Sequence, residues 1–561
     1  MTTEMPNGSP SLLWKGLGLW NLYFIAKLLM YWFGVIQFDV YLNLLFAAAL
    51  LFPLRNVWLS RLRQLLAVPA GIALLYHDTW YPPFSRLLAQ RHDLLGFSPA
   101  YLLELMSRFI NWDLIGAGFI FLVAYLFAAQ WLRMTTFTVL ALVSVSLSSV
   151  AGINMGSWVT PGAGVSKVLS HSVAQTEAAP TLQPGGGPAA QSASGVSGQQ
   201  AKPTQEQLNQ ALTSFYTSEA TRVVEFPASM PTEQPFDVLV LSICSLSWAD
   251  LQASGLDNHP LLQGMDVIFD QFNAATSYSG PAVLRLMRAS CGQVSHQALY
   301  QPAEDRCFLF DNLEKLGFKT ETALNHNGQF QGFLDEITAS GRFPKPYIPE
   351  ALDARLRAFD GSPIWGDLDT LTHWWQQRTS SGDSRVALLY NSITLHDGNR
   401  EATAAGGSQA APYGDRLRRL FDNLSAFFAE LQRSGRKVLV VLVPEHGAAL
   451  QGDRMQIPGM REIPSPSITR VPVALKLIGA KAPHGQPVKV EKPSSFLALS
   501  ELMSELVSID AFEQPALDWT RLVATLPETN PVSENDGTVL MEWQQNPYVR
   551  MGQGSWIPYP K

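Results

Sequence analysis

Charge is what this chain has least of. Only 16% of its 561 residues are Asp, Glu, Lys or Arg, against roughly 25% in soluble domains, so part of the chain is expected in lipid. The formal net charge is −7 and no basic run offsets it, which argues against a nucleic-acid partner. Cysteine is nearly as scarce, with Cys244, Cys291 and Cys307 the only three. An odd count leaves at least one thiol outside any internal disulfide. A cleavable secretory signal is not expected either: the first apolar run is long, has no small-residue cleavage site and is followed by further runs. No internal repeat is visible.

What is present is divided unevenly. Residues 1–155 hold apolar runs at 17–36, 40–54, 65–76, 114–132 and 137–153, read as about five transmembrane helices. The third run is short and contains Pro69, so four is the alternative count. Arg55, Arg61 and Arg63 between the second and third runs, and Arg133 between the last two, set the orientation by the positive-inside rule. The N-terminus is then cytoplasmic and the chain beyond residue 155 lies on the far side, the periplasm of a Gram-negative cell. The loop at 77–113 carries Arg86, Arg91 and Arg108 among its acids and orients less clearly. Lys27, inside the first run, reads either as a snorkelling side chain, the preferred reading, or as a functional charge.

Residues 156–205 are rich in Gly, Ala, Pro, Ser and Gln, a composition that cannot bury a core and reads as a flexible tether. From 206 to 561 the pattern changes to near-continuous apolar strands at 236–244, 266–275, 318–324, 385–395, 437–445 and 471–479. Helical periodicity lies between several of them, most clearly at 413–435. That alternation predicts an α/β domain with a mostly parallel central sheet. An aromatic-rich stretch at about 538–561 suggests a terminal hairpin.

Ligands collect at the carboxyl ends of strands in such sheets, so the residues just after each strand carry the search. They are Cys244 after the first strand, His396 and Asp397 after the fourth, and Glu445 and His446 after the fifth. Cys244 reads either as an ordinary buried thiol or as a thiolate held by a metal. His396 reads either as turn chemistry or as a site residue. The stretch TSYSGPAVLRLMRASCG, 276–292, adds hydroxyls before Gly280 and Pro281, the entrance of a helix. Ser279 there is either a simple N-cap or a nucleophile beside a bound phosphate, because unpaired N–H groups and the helix dipole hold anions at that end. Arg461, in GMREIPSPS, is either a solvated charge or a phosphate clamp. Cys291 and Cys307 are close enough to make a disulfide the preferred reading. It would contribute roughly 3 kcal/mol by closing a short loop, and it leaves Cys244 as the odd thiol.

Taken together, ICSLSWAD (243–250), TSYSGPA (276–282), RASCGQ (288–293), NHNGQF (325–330), LHDGN (395–399), VPEHG (443–447) and DRMQIPGMREIPSPSIT (453–469) carry a resemblance. The chain resembles the phosphoethanolamine transferases of the alkaline phosphatase superfamily, and more closely the cellulose phosphoethanolamine transferases of bacterial cellulose synthase operons. The resemblance covers both halves of the chain. It implies an alkaline-phosphatase-like fold and a zinc site made by Cys244, Ser279, Glu445 and His446. It also implies Ser279 as nucleophile, with Tyr278, His396 and Arg461 around the phosphoryl group. Thiolate and imidazole favour zinc over magnesium on ligand softness as well. The lipid A branch uses a threonine nucleophile, a carboxylate where Cys244 stands and more disulfides, and those departures favour a carbohydrate acceptor. The implied partners are phosphatidylethanolamine as donor, cellulose as acceptor, the inner membrane and cellulose synthase subunits. Two other functions fit the same residues: a phosphodiesterase- or sulfatase-like hydrolase of the superfamily, or a non-catalytic scaffold of a polysaccharide synthase.

Overall fold

The structure, a computed structural model, describes residues 16–32, 36, 38–54, 56–79, 112–150, 202–230, 235–403 and 408–560. The tether at 156–205 falls almost wholly outside the described residues, as does most of the loop at 77–113. The described residues before 151 belong to one compact unit and those from 203 onward to another.

In the first unit, five helices fall on the five apolar runs: α1 (Trp20–Trp32), α2 (Val40–Leu51), α3 (Val57–Asp78), α4 (Trp112–Ala128) and α5 (Met134–Val150). Four of them have 12 to 17 residues, short of the roughly 20 apolar residues a bilayer requires. α3 has 22 residues, but its length comes from taking in Arg61, Arg63, His77 and Asp78. Among the described residues, therefore, no helix is long and apolar enough to cross a membrane. Lys27 does not snorkel. It is fully buried, with Nζ 2.8 Å from Asp78 Oδ2 and 2.8 Å from Asn43 Oδ1, so charge is paired across helices rather than carried to an edge. Leu45, Trp58, Leu65, Ile72, Phe119 and Ile120 stay exposed, an apolar surface unlike that of a water-facing bundle.

The second unit is built on a seven-stranded sheet. Its strands are β1 (Phe236–Ile243), β2 (Val267–Phe269), β3 (Lys319–Leu324), β4 (Val386–Ser392), β5 (Lys437–Pro444), β6 (Ala474–Ile478) and β7 (Val488–Val490). They lie in the order β7-β2-β6-β5-β1-β4-β3. The four strands β5, β1, β4 and β3 are mutually parallel, as is the β7–β2 pair. The expectation of a mostly parallel sheet needs one correction: β6 runs antiparallel to both neighbours, which makes the sheet mixed. The predicted strand at 266–275 is also divided. Only β2 joins the sheet, and Phe272–Asn273 pairs separately with Arg470–Val471.

Every residue of β1 is buried. Phe236, Val238 and Val240 face one core, and Leu239, Leu241 and Ile243 the other. Strand alternation thus feeds two apolar layers. On the first side pack α7 (Ser279–Met287) and, later in the chain, α10 (Phe496–Ser508). On the other pack α8 (Asp367–Ser380) and α9 (Tyr413–Arg433). In α9, Leu417, Leu420, Phe421, Leu424, Phe427 and Leu431 recur at helical spacing and are all fully buried, the stripe that fixes the helix on the sheet. The C-terminal hairpin grows into a four-stranded antiparallel sheet, β8 (Val532–Asn535), β9 (Thr538–Trp543), β10 (Asn546–Met551) and β11 (Ile557–Pro558), on which α6 (Gln205–Glu219) packs through Leu208, Leu212 and Phe215.

Candidate metal centre and nucleophile

The parallel strands β5, β1 and β4 end side by side, and their ladder continues one step past them. Glu445 N donates to Ile243 O at 2.9 Å, Cys244 N to Ser392 O at 2.9 Å and Leu246 N to His446 O at 2.6 Å. Cys244, Glu445 and His446 are thereby held by backbone bonds on rigid elements. Ser245, next to Cys244, takes the left-handed conformation at φ 63°, a strain that residues with a Cβ rarely carry outside functional turns.

Four ligand-type side chains converge there. Cys244 Sγ lies 3.3 Å from Ser279 Oγ and 3.8 Å from His446 Nε2, and Ser279 Oγ lies 3.3 Å from His446 Nε2. The donor atoms of Cys244, Glu445 and His446 all fall within 4.8 Å of one another, and all three residues are buried. Ser279 is the first residue of α7, and the cap before it, Tyr278, makes no side-chain capping bond. The Ser279 hydroxyl itself is directed at Cys244 and His446 rather than at a backbone N–H.

These residues fit a zinc ion. Glu445 Oε1 accepts from Ser242 Oγ at 3.0 Å and from Asn391 Nδ2, while Oε2 is buried with no hydrogen-bond partner among the described residues. A buried carboxylate oxygen left without a donor is costly unless a cation completes it. His446 Nδ1 faces Gly447 O at 2.9 Å, which assigns the proton to Nδ1 and leaves the Nε2 lone pair toward Cys244 and Ser279. Burial, with Arg461 beside it, pushes the imidazole well below the usual histidine range, so it is neutral and ready to ligate. Burial and then the Glu445 charge push the Cys244 thiol up to about 12. Burial also raises the Glu445 carboxyl.

Arg461 lies over the His446 ring, with Nη1 3.3 Å from Nδ1 and 3.4 Å from Nε2. Its guanidinium is thus within reach of the same space as Ser279. Tyr278 stands 5.9 Å from Arg461 by its ring, and its hydroxyl donates to Glu462 Oε1 at 2.8 Å. His396 is not hydrogen-bonded into the cluster. Its Nδ1 pairs with Asp397 O at 2.8 Å and its ring packs on Phe359 at 4.9 Å. Burial and then Arg461 lower it to about 4. Cys291 and Cys307 are joined in a disulfide just beyond the end of α7.

Residues that strand-end reading missed support this cluster from behind. His326 Nε2 faces Asn391 Oδ1 at 2.9 Å while its Nδ1 accepts from Gly328 N at 3.1 Å. Asn391 then passes its amide protons to Glu445 and to Ser242. Asn391 and Ser242 are register partners inside β4 and β1, one residue before the strand ends, so a search of post-strand residues passes over them.

Asn535, the last residue of β8, was also missed. Its Oδ1 accepts from Thr276 Oγ1 at 3.0 Å and Ser277 N at 3.2 Å. Its Nδ2 donates to Ser277 Oγ at 2.7 Å, Glu462 O at 3.0 Å and Arg461 O at 3.1 Å. Ser277 also donates to Arg461 O, so it ties loops together instead of capping the helix. One buried amide thus fixes the loop before Ser279 against the loop that carries Arg461. Asn535→Ala is expected to lower turnover about a hundredfold through misplacement of reacting groups, with zinc content unchanged, as read by steady-state kinetics beside metal analysis.

The fold and the site together define an α/β protein whose thiol, carboxylate, imidazole and hydroxyl meet at the carboxyl end of a mixed sheet, beside a helix start. The chain belongs to the cellulose biosynthesis protein BcsG family. The model of that family's C-terminal domain matches residues 192–556 and that of its N-terminal domain residues 20–147. The chain is 47% identical over 551 residues to the cellulose biosynthesis protein BcsG of Escherichia coli, covering 98% of this chain and 97% of that one. It is 46% identical to the BcsG of Salmonella typhimurium over the same spans. Among solved structures, it is similar to the C-terminal periplasmic domain of EcEptC from Escherichia coli in complex with Zn. That match has a TM-score of 0.41 and 13% identity, and covers 60% of this chain and 96% of that one.

Proposed function

We propose that the chain is a zinc-dependent transferase that moves phosphoethanolamine from phosphatidylethanolamine to glucose hydroxyls of nascent cellulose, through a covalent ester on Ser279. The observation that carries this is the meeting of an uncapped Ser279 hydroxyl with Cys244, His446 and the unpartnered oxygen of Glu445. The relatives' role in cellulose biosynthesis supports a cellulose acceptor and contact with cellulose synthase subunits. The low-charge first unit, with its exposed apolar side chains, supports an anchor in the inner membrane, where the lipid donor resides. The disulfide supports a catalytic domain in the oxidising periplasm.

Zinc held by Cys244, Ser279, Glu445 and His446 would lower the pKa of the serine hydroxyl and hold developing charge on the phosphoester. Ser279 Oγ forms a bond to phosphorus as the bond to the diacylglycerol oxygen breaks, and the serine proton ends on diacylglycerol. A glucose hydroxyl then forms the next P–O bond and its proton returns to Ser279 Oγ as that ester breaks. Arg461 and the N–H groups opening α7 hold the remaining phosphoryl oxygens. His396, neutral near pH 7 with Nδ1 committed to Asp397 O, offers Nε2 as a proton acceptor rather than serving as a standing acid.

The full chain in phosphatidylethanolamine vesicles, given soluble cello-oligosaccharides, is expected to release diacylglycerol and yield a phosphoethanolamine sugar ester visible by ³¹P NMR. Free phosphoethanolamine with no sugar ester would instead identify a hydrolase.

A further inference from the structure

A second carboxylate stands at the nucleophile. Glu336 opens a π-helical turn, Glu336–Ser340, a helix type found mostly as single turns at functional sites. Its carboxylate lies directly against Gly280, the residue after Ser279, so closely that a Cβ at position 280 would overlap it. A side chain at 280 would force the Glu336 carboxylate to move away from the start of α7. The carboxylate is only half-buried and makes no hydrogen bond or ion pair with any described residue. No described cation lies within ion-pairing distance of it.

A lone acid facing a phosphoryl-transfer nucleophile repels the phosphate unless it serves another part of the substrate. A phosphoethanolamine headgroup is zwitterionic, with its ammonium two methylenes from the phosphoester oxygen. Beside the metal-type residues, Arg461 near His446 and Glu336 beside Gly280 add one charge of each sign, matching such a group. We infer that Glu336 is the headgroup-selecting residue: its carboxylate receives the donor's ammonium while the phosphate sits at Ser279. The inference rests on the phosphoethanolamine reading above and adds to it the residue that distinguishes this headgroup from an uncharged one.

The test compares the full wild-type chain with Glu336→Gln and Glu336→Lys on vesicles of phosphatidylethanolamine and of phosphatidylglycerol, reading diacylglycerol release. The wild type is expected to prefer ethanolamine. Glu336→Gln is expected to reduce the ratio of the two kcat/KM values about tenfold, the loss of one charge-assisted contact, mainly through KM. Glu336→Lys is expected to invert the preference. Zinc content and melting temperature identify any variant that is misfolded rather than reselected, and the other variant then carries the test. A wild-type preference that survives both substitutions overturns the role of Glu336 alone. A wild type that releases diacylglycerol from neither lipid overturns the phosphoethanolamine reading itself.

Discussion

Ser279→Ala is expected to reduce phosphoethanolamine transfer at least about 10⁴-fold, because losing a serine nucleophile removes the covalent route and leaves only binding and electrostatics. The fold should be undisturbed. Ser279 Oγ is directed at the metal-type residues Cys244, His446 and Glu445, and alanine suits a first helical turn. Circular dichroism and melting temperature should match the wild type, with diacylglycerol release at background. Transfer within tenfold of wild type would mean the nucleophile lies elsewhere. Ser277 is not an alternative within this geometry, since its hydroxyl is held between Arg461 O and Asn535.

Cys244→Ala is expected to weaken zinc binding at least about a hundredfold, more than the tenfold to hundredfold typical of losing a residue that only supports a ligand. The pH dependence gives a sharper readout. In the metal-free chain the Cys244 thiol, pushed up to about 12 by burial and Glu445, is protonated throughout the neutral range. Zinc takes the thiolate, so binding releases that proton and affinity rises about tenfold per pH unit, falling equally on acidification. His446 is already neutral near pH 7 and adds no such dependence there. Calorimetric titration in buffers of different ionisation enthalpy should count one proton fewer released by Cys244→Ala. An equal count in both would remove Cys244 from the metal site.

Whether a feature is legible in the sequence depends on where its contacts come from. Six of the seven strands of the central sheet are legible, most plainly β1, β4 and β5, which are buried on both faces and read as unbroken apolar runs, whereas the three-residue β7 carries too short a pattern to be read. The antiparallel sense of β6 is not legible, since a buried strand looks the same in either direction. The break of 266–275 into two short strands follows from a polar Asp-Gln step at 270–271 that the apolar residues on either side obscured. Cys244, Glu445 and His446 were accessible to a strand-end search because they follow β1 and β5 directly. Asn391 lies one residue inside β4 and escaped it.

Asn535 and Glu336 were illegible for another reason. Asn535 reaches Thr276 and Ser277 across more than 250 residues of sequence, and Glu336 meets Gly280 from an irregular segment with no motif of its own. No local pattern encodes such pairings. In the first unit, each of the five described helices falls on an apolar run. The reading of α3 began at 65, whereas the helix opens at Val57 and takes in Arg61 and Arg63, because helical hydrogen bonding is indifferent to the charge that bounded the apolar run.

The central claim is that Ser279 carries the phosphoethanolamine group between donor and acceptor. The most direct test is the peptide mass of the full chain, acid-quenched during turnover on phosphatidylethanolamine vesicles with no sugar acceptor present. The peptide containing Ser279 is expected to gain the mass of one phosphoethanolamine group, located on that serine by fragmentation and lost when cello-oligosaccharide is added before the quench. Diacylglycerol release with Ser279 unmodified, or with the group on another residue, would contradict it.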